Sequence, residues 1–459
     1  MGTSVNMNKK IKIAGYIAGL ILVFLIFALA GKKLGEYVEK QEKTAAENVP
    51  DQIAEQEKGA PSSAAEEKTK DGSSKPDVMQ KTGADKEEGN ETTEQETTEA
   101  DEKTRTEDLE RAVQTKLASM TLEQKVAQMF VITPEALTGA GTVVQAGEQT
   151  KAALAACPVG GLIYMAQNLT GPEQTKEMLS CTTAFSKEIT GLPMFLGIDE
   201  EGGTVTRVAQ NPAFGVTDVG DMRDIGATGN GEMAYQAGQT IGAYLHELGF
   251  NLDFAPVADV LTNDANEVVY YRSFGSDAAM VSQMVEREKN GLEENQVLAC
   301  IKHFPGHGAT SGDTHDGIAY VDRSWEELQT RELIPFQDQI NQNVSMIMVG
   351  HFSLPQVTGD DTPCSLSGTV ITEKLRSEMG YDGIVITDAL NMGAVSSWYT
   401  SAEAAVMAVQ AGVDLLLMPS DFPSAYQAVL AACGSGEIPQ ETIDASVARI
   451  LRVKLKMES

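Results

Sequence analysis

Eight short apolar runs, set along one stretch of chain and separated by segments of helical periodicity, limit what this sequence can fold into more than any other feature. The runs are residues 129–132, 160–165, 194–198, 251–255, 298–302, 346–349, 384–387 and 414–418. Helical patterns at 173–189, 232–248, 278–293 and 402–410 fall between them, and another spans 325–342. Short buried strands alternating with helices imply a parallel sheet, because each helix carries the chain back to start the next strand. The economical closure of eight such units is an α/β fold, a (β/α)8 TIM-like barrel. An open doubly wound sheet competes with it. No G-x-G-x-x-G loop opens the first helix, however, and polar groups recur at strand ends all round the order.

Those strand ends carry the chemistry. Run 194–198 leads into Asp199, Glu200 and Glu201; the stretch 250–260 holds Asp253 and Asp259; 346–349 closes on His351, and 383–386 on Thr387 and Asp388. The apolar run at 297–301 opens into KHFPGHGATSGDTHDG, residues 302–317, which sets three of the five histidines beside acidic residues in a glycine-punctuated loop. α/β barrels build their active sites from such C-terminal strand ends.

The N-terminal quarter reads differently. Residues 1–12 are a basic head with Lys9, Lys10 and Lys12, and residues 13–30 are an unbroken apolar stretch about long enough to span a bilayer. One N-terminal transmembrane helix is therefore expected, cytoplasmic at its start and with the body outside the membrane, although Lys32 and Lys33 weaken the charge bias. Ala28, Leu29 and Ala30 form an A-x-A-like site, so a cleaved, secreted form is the alternative. Residues 31–106, rich in Glu, Lys, Thr, Asp and Ser, read as a disordered acidic linker, and residues 107–459 as the folded body.

Beyond Thr106, 46 acidic residues oppose 20 basic ones, a net charge near −26. Such a field repels nucleic acid and favours a neutral or small substrate. The five cysteines are scattered and lack C-x-x-C spacing, so no disulfide framework and no zinc site is expected; Cys300 reads as a core residue.

Asp388, at a strand end in GIVITDALNMGAV, is a carboxylate that a rigid scaffold could hold beneath a sugar, or equally a helix N-cap. His315, with Asp313 two residues before it, can act as acid and then base if the carboxylate fixes one imidazole nitrogen; an Asx turn is the plainer reading of that spacing. Lys and Arg donors at neighbouring strand ends suit hydroxyl and carbonyl acceptors, and Asp199 accepts from hydroxyls.

With these residues in view, the body resembles family 3 glycoside hydrolases of the single-domain β-N-acetylglucosaminidase, or β-hexosaminidase, branch. The likeness covers residues 121–455 and rests on IDEEGGTVTR (198–207), RSFG (272–275), KHFPGHG (302–308), the Asp313 and His315 pair, and ITDALNMGA (386–394). It implies that Asp388 is the nucleophile of a covalent glycosyl-enzyme and that His315 with Asp313 is the acid/base dyad. It also implies that Asp199, Arg207, Arg272, Lys302 and His303 hold the hydroxyls and 2-acetamido group of a terminal GlcNAc. The expected partner is a GlcNAc-containing oligosaccharide, such as a cell-wall muropeptide, with no cofactor, no metal, no nucleic acid and a monomeric body. His307 reads as bracing the glycine turn, His351 and Asp259 as supporting groups, and His246 as a surface or packing residue.

The sequence departs from related ones at Glu200 and Thr204, where Gln and Arg are common, and at Tyr270, where a glycine is common before RSFG. An extra carboxylate and a phenol near the rim would bear on which sugar or aglycone is accepted. Three other functions fit less well. Phosphorolysis suits a histidine acid/base but not an exported enzyme. A barrel metallohydrolase built on His303, His307 and His315 leaves Asp388 idle, and a tethered, non-catalytic sugar-binding protein leaves Asp388, Asp313 and His315 unexplained.

Overall fold

A computed structural model describes residues 91–310, 312, 314 and 317–458. The head at 1–12, the apolar segment 13–30 read as a membrane anchor, and most of the linker lie outside the described residues. Among the described residues no helix is long and apolar enough to cross a membrane.

Eight parallel strands form the centre: β1 (Phe130–Ile132), β2 (Gly161–Ile163), β3 (Phe195–Ile198), β4 (Leu252–Asp253), β5 (Leu298–Phe304), β6 (Met346–Val349), β7 (Ile384–Thr387) and β8 (Leu416–Leu417). Sequential strands pair from β1 to β7, and β8 pairs with β1 through Phe130 to Leu416 and Val131 to Leu417. Thr387 N–H donates to Leu415 C=O at 3.0 Å and Asp414 N–H to Val385 C=O at 2.9 Å, which joins β7 to the approach of β8 and closes the barrel. The expected (β/α)8 architecture is therefore present. Its strands are short and, Leu298 apart, buried along their whole length, which is why they appear in the sequence as continuous apolar runs.

Helices Pro172–Thr190, Gly231–Leu248, Ala278–Glu294 and Ser401–Ala411 match the expected patterns to within a residue at most ends. The pattern at 325–342 is instead two helices, Trp325–Gln329 and Ile334–Asn341. Pro335 lacks the N–H that a continuous helix would need, and it sits at the start of the second helix, where none is required. The stretch 250–260 also differs, since only Leu252 and Asp253 form a strand, Val257 adds a single parallel bridge to Lys302, and the remainder is irregular. A helix Glu91–Ser119 begins inside the segment read as linker. All five cysteines are free thiols, and Cys300 is buried in β5.

At the N-terminal end of the barrel, Lys454 of the helix Gln440–Lys456 is buried, donating to Gln128 Oε1 at 2.8 Å and Gly160 C=O at 2.7 Å, with its Nζ 5.0 Å from the Phe195 ring centroid. At the other end, the turn after β5 is pressed into its surroundings. A Cβ on Gly308 would lie 2.1 Å from Val260 C=O, and Gly306, at φ +128°, packs on the Glu332 side chain. Glu332 also accepts from Thr262 Oγ1 at 2.6 Å and from Arg323, tying the chain that follows β5 to the loop after β4.

Candidate active site

The residue after β3 starts the site. Extended chain sends successive side chains to opposite faces, and Asp199 and Glu201 face the barrel mouth while Glu200 turns away. Asp199 accepts from Lys302 Nζ at 3.1 Å and lies 3.4 Å from Arg207 Nη2. Glu201 accepts from Lys302 Nζ at 2.5 Å and, through both oxygens, from Arg272. Burial opposes the charge on Glu201, but Arg272 and Lys302 outweigh it and hold the carboxyl well below the usual range.

A second group of bonds fixes the histidines. Asp259, fully buried, accepts from His303 Nδ1 at 2.7 Å and from the backbone N–H of His307 at 2.6 Å. His303 Nε2 lies 3.3 Å from Arg272 Nη2, so the ring is held between Asp259 on one side and the guanidinium on the other. Burial would raise the Asp259 carboxyl, yet the His303 and His307 groups around it hold it down. The His307 ring contacts the Thr310 and Thr314 hydroxyls, and burial followed by the charge of His303 pushes it down to about 4.

Asp388 follows β7, its N–H donating to Val349 C=O at 2.9 Å and its Oδ1 accepting from the Ala389 N–H at 2.7 Å. His351 Nε2 donates to Ala389 C=O at 3.0 Å while Nδ1 meets Ser365 Oγ at 2.7 Å, bracing the backbone that carries Asp388. Burial works against ionisation of Asp388, but His351, His303, the Ala389 N–H and Lys302 together lower its pKa below the ordinary aspartate value. Asp388, Asp199, Arg207, Arg272, Lys302 and His303 line one cleft of about 300 Å³ at the C-terminal end of the strands.

Comparison with known families decides the classification: residues 121–453 match the model of the glycosyl hydrolase family 3 N-terminal domain. The chain belongs to glycoside hydrolase family 3. It is 33% identical over 326 residues to β-hexosaminidase A of Pseudoalteromonas piscicida, a match covering 65% of this chain and 54% of that protein. It is 34% identical over 271 residues to β-hexosaminidase LpqI of Mycobacterium tuberculosis, covering 57% of this chain and 68% of the relative. A solved family 3 β-N-acetylglucosaminidase from Paenibacillus sp. FPU-7 superposes with a TM-score of 0.69 at 37% identity, over 74% of this chain and 64% of that one. The chain thus spans about half the length of the first relative and under two thirds of that structure.

On this family 3 barrel, six of the eight site residues read from the sequence share the cleft. Asp313 and His315, the other two, lie outside the described residues; Thr314 between them lines the cleft. Glu201 was missed as a site residue, although its two-residue spacing from Asp199 at a strand end was the available signal. Glu200 needs correction. It is fully buried and accepts from the backbone N–H groups of Arg207, Val208 and Ala209 and from Tyr244 Oη, so it braces the loop after β3 instead of standing at the rim. Thr204 is exposed and bonded to Asp221, and His246 is exposed on its helix. Among the described residues no three His, Cys, Asp or Glu side chains converge as metal ligands.

Proposed function

We propose that the chain is a retaining exo-β-N-acetylglucosaminidase that removes terminal GlcNAc from oligosaccharides, wall-derived muropeptides foremost. The observation that carries the reading is the cleft in which an ionised Asp388 shares about 300 Å³ with Asp199, Arg207, Arg272, Lys302 and His303. A carboxylate beside donors and acceptors for sugar hydroxyls is what a retaining glycosidase requires. The names of the relatives supply the acetamido sugar.

In this mechanism an Asp388 oxygen attacks the anomeric carbon while His315, held by Asp313, gives a proton to the departing glycosidic oxygen. The C1–O bond breaks as the C1–Asp388 bond forms. The same histidine then takes a proton from water, which displaces Asp388 and releases GlcNAc with retained configuration. The apolar segment 13–30 would hold this body outside a membrane, on the 31–106 tether.

The test uses the full-length chain and 4-nitrophenyl β-GlcNAc, with and without phosphate, beside Asp388→Ala. Phosphate-independent release of nitrophenol that is lost in the variant is the expected result. Turnover only with phosphate would make the enzyme a phosphorylase, and no turnover in either buffer would sink the glycosidase reading.

A further inference from the structure

We propose that Thr314 is a positioning residue for the acid/base pair, a clasp that ties the segment carrying Asp313 and His315 both to His307 and to the chain that bears Asp388; the proposal rests on the glycosidase reading above. Thr314 is flanked in the chain by Asp313 and His315, so fixing it anchors each of them one peptide away, about 3.8 Å between Cα atoms. It is fixed twice. Its Oγ1 lies 3.3 Å from His307 Nε2, and its C=O accepts from the Ala394 N–H at 3.0 Å. Thr314 is 1% exposed and lines the cleft.

Both partners are themselves held. The backbone N–H of His307 donates to Asp259 at 2.6 Å, its C=O accepts from Asn266 Nδ2 at 2.8 Å, and its Nδ1 meets Thr310 Oγ1 at 3.0 Å, which leaves Nε2 for Thr314. The ring packs edge-on against His303 and Phe352, with centroids 5.6 and 5.4 Å away. Burial and the charge of His303 keep this imidazole neutral near neutral pH, so it is a hydrogen-bonding post and not the acid. On the other side, Ala394 belongs to a stretch pinned to the barrel through Asp388 N–H to Val349 C=O and Leu390 N–H to Leu417 C=O, each at 2.9 Å.

The reaction gives the clasp its purpose. Attack by Asp388 and proton delivery to the departing oxygen act on the two sides of one C1–O bond, and a misplacement of about 1 Å can cost about a hundredfold in rate. The two groups stand on different strand ends, and the bond from Ala394 to Thr314 links their segments directly. The Thr314 hydroxyl adds the tie to His307, which valine would forfeit at nearly the same shape.

The test compares full-length wild type, Thr314→Val, Thr314→Ser, His307→Phe, the Thr314→Val/His307→Phe double variant and His315→Ala, on the disaccharide of two GlcNAc units and on 4-nitrophenyl β-GlcNAc. Thr314→Val and His307→Phe should each lower kcat/KM on the disaccharide about ten- to thirtyfold and stay within about threefold on the aryl glycoside, whose leaving group needs little acid. On the aryl glycoside kcat and KM should fall together, because the second step still needs the histidine as base and the glycosyl-enzyme accumulates. Thr314→Ser should restore most of the disaccharide rate, and the double variant should lose little more than either single one. Equal losses on both substrates, complete ones included, would reduce Thr314 to packing and overturn the proposal, as would an unchanged disaccharide rate or additive losses in the double variant. If His315→Ala shows the leaving-group dependence and Thr314→Val does not, the clasp falls while the acid stands. If His315→Ala lacks it as well, the acid assignment falls and the clasp with it.

Discussion

Arg272 grips Glu201 with two parallel hydrogen bonds, Nε to Oε2 at 2.7 Å and Nη2 to Oε1 at 2.8 Å, while Lys302 meets Oε1 of the same carboxylate at 2.5 Å. Removing one partner of a buried ion pair costs about 3 kcal/mol or more, because the other charge stays buried. Glu201→Gln should therefore cut kcat/KM on 4-nitrophenyl β-GlcNAc by about ten- to a hundredfold, mainly through KM, and lower the thermal midpoint. A lowered midpoint with unchanged kinetics would limit Glu201 to a structural role.

In the proposed mechanism Asp388 sets the acid side of the pH profile. Its folded pKa is lowered, so the reactive carboxylate is fully present above the ordinary aspartate range and is lost only as pH falls through a lower value. The acid limb of kcat/KM attributable to this group should lie below about pH 4. Asp388→Asn should lose at least about a thousandfold in kcat, and NMR of early product should show the β-anomer of GlcNAc. Release of the α-anomer would exclude the covalent route.

His315→Ala should be hurt less on an activated aryl glycoside than on a disaccharide, since nitrophenolate leaves with little help from a proton. A gap of about a hundredfold between the two losses, measured as kcat/KM, is expected. Equal losses would remove His315 from the role of acid.

Lys454 predicts a pH-dependent stability. Burial among neutral acceptors lowers its pKa to about 7, so between there and the unfolded value near 10.4 the unfolded chain binds a proton that the folded chain does not. Stability from this group thus rises with pH across that window, by about 1.4 kcal/mol per pH unit, and is lost as pH falls toward 7. Denaturant melts of wild type and Lys454→Met from pH 7 to 10 should diverge with that slope. Parallel curves would refute it.

The barrel was legible because each strand is buried and so is written as an apolar run; β1, β3, β6 and β7 coincide with their runs to within one residue. Pro335 was also visible, and its lack of an N–H was reason enough to divide 325–342 into two helices. Within the site, period-two alternation at a strand end separates Asp199 and Glu201 from Glu200, and treating the three acids as one cluster is what misplaced Glu200. The contact of Asp259 with His303 and His307 was not legible. It joins residues 44 and 48 positions apart through an irregular segment whose path no local pattern specifies.

The pairing of β1 with β8, reinforced by Lys454 reaching Gln128 and Gly160, has a consequence in time. A chain emerging from the ribosome exposes the edge of its first strand until residues 416–417 arrive, and the base beneath it is sealed only by the closing turns of the last helix. The arrival of Leu416 and Leu417 then sets when the barrel can shut, and a chain truncated before Leu416 is left with an open strand edge and a liability to aggregate.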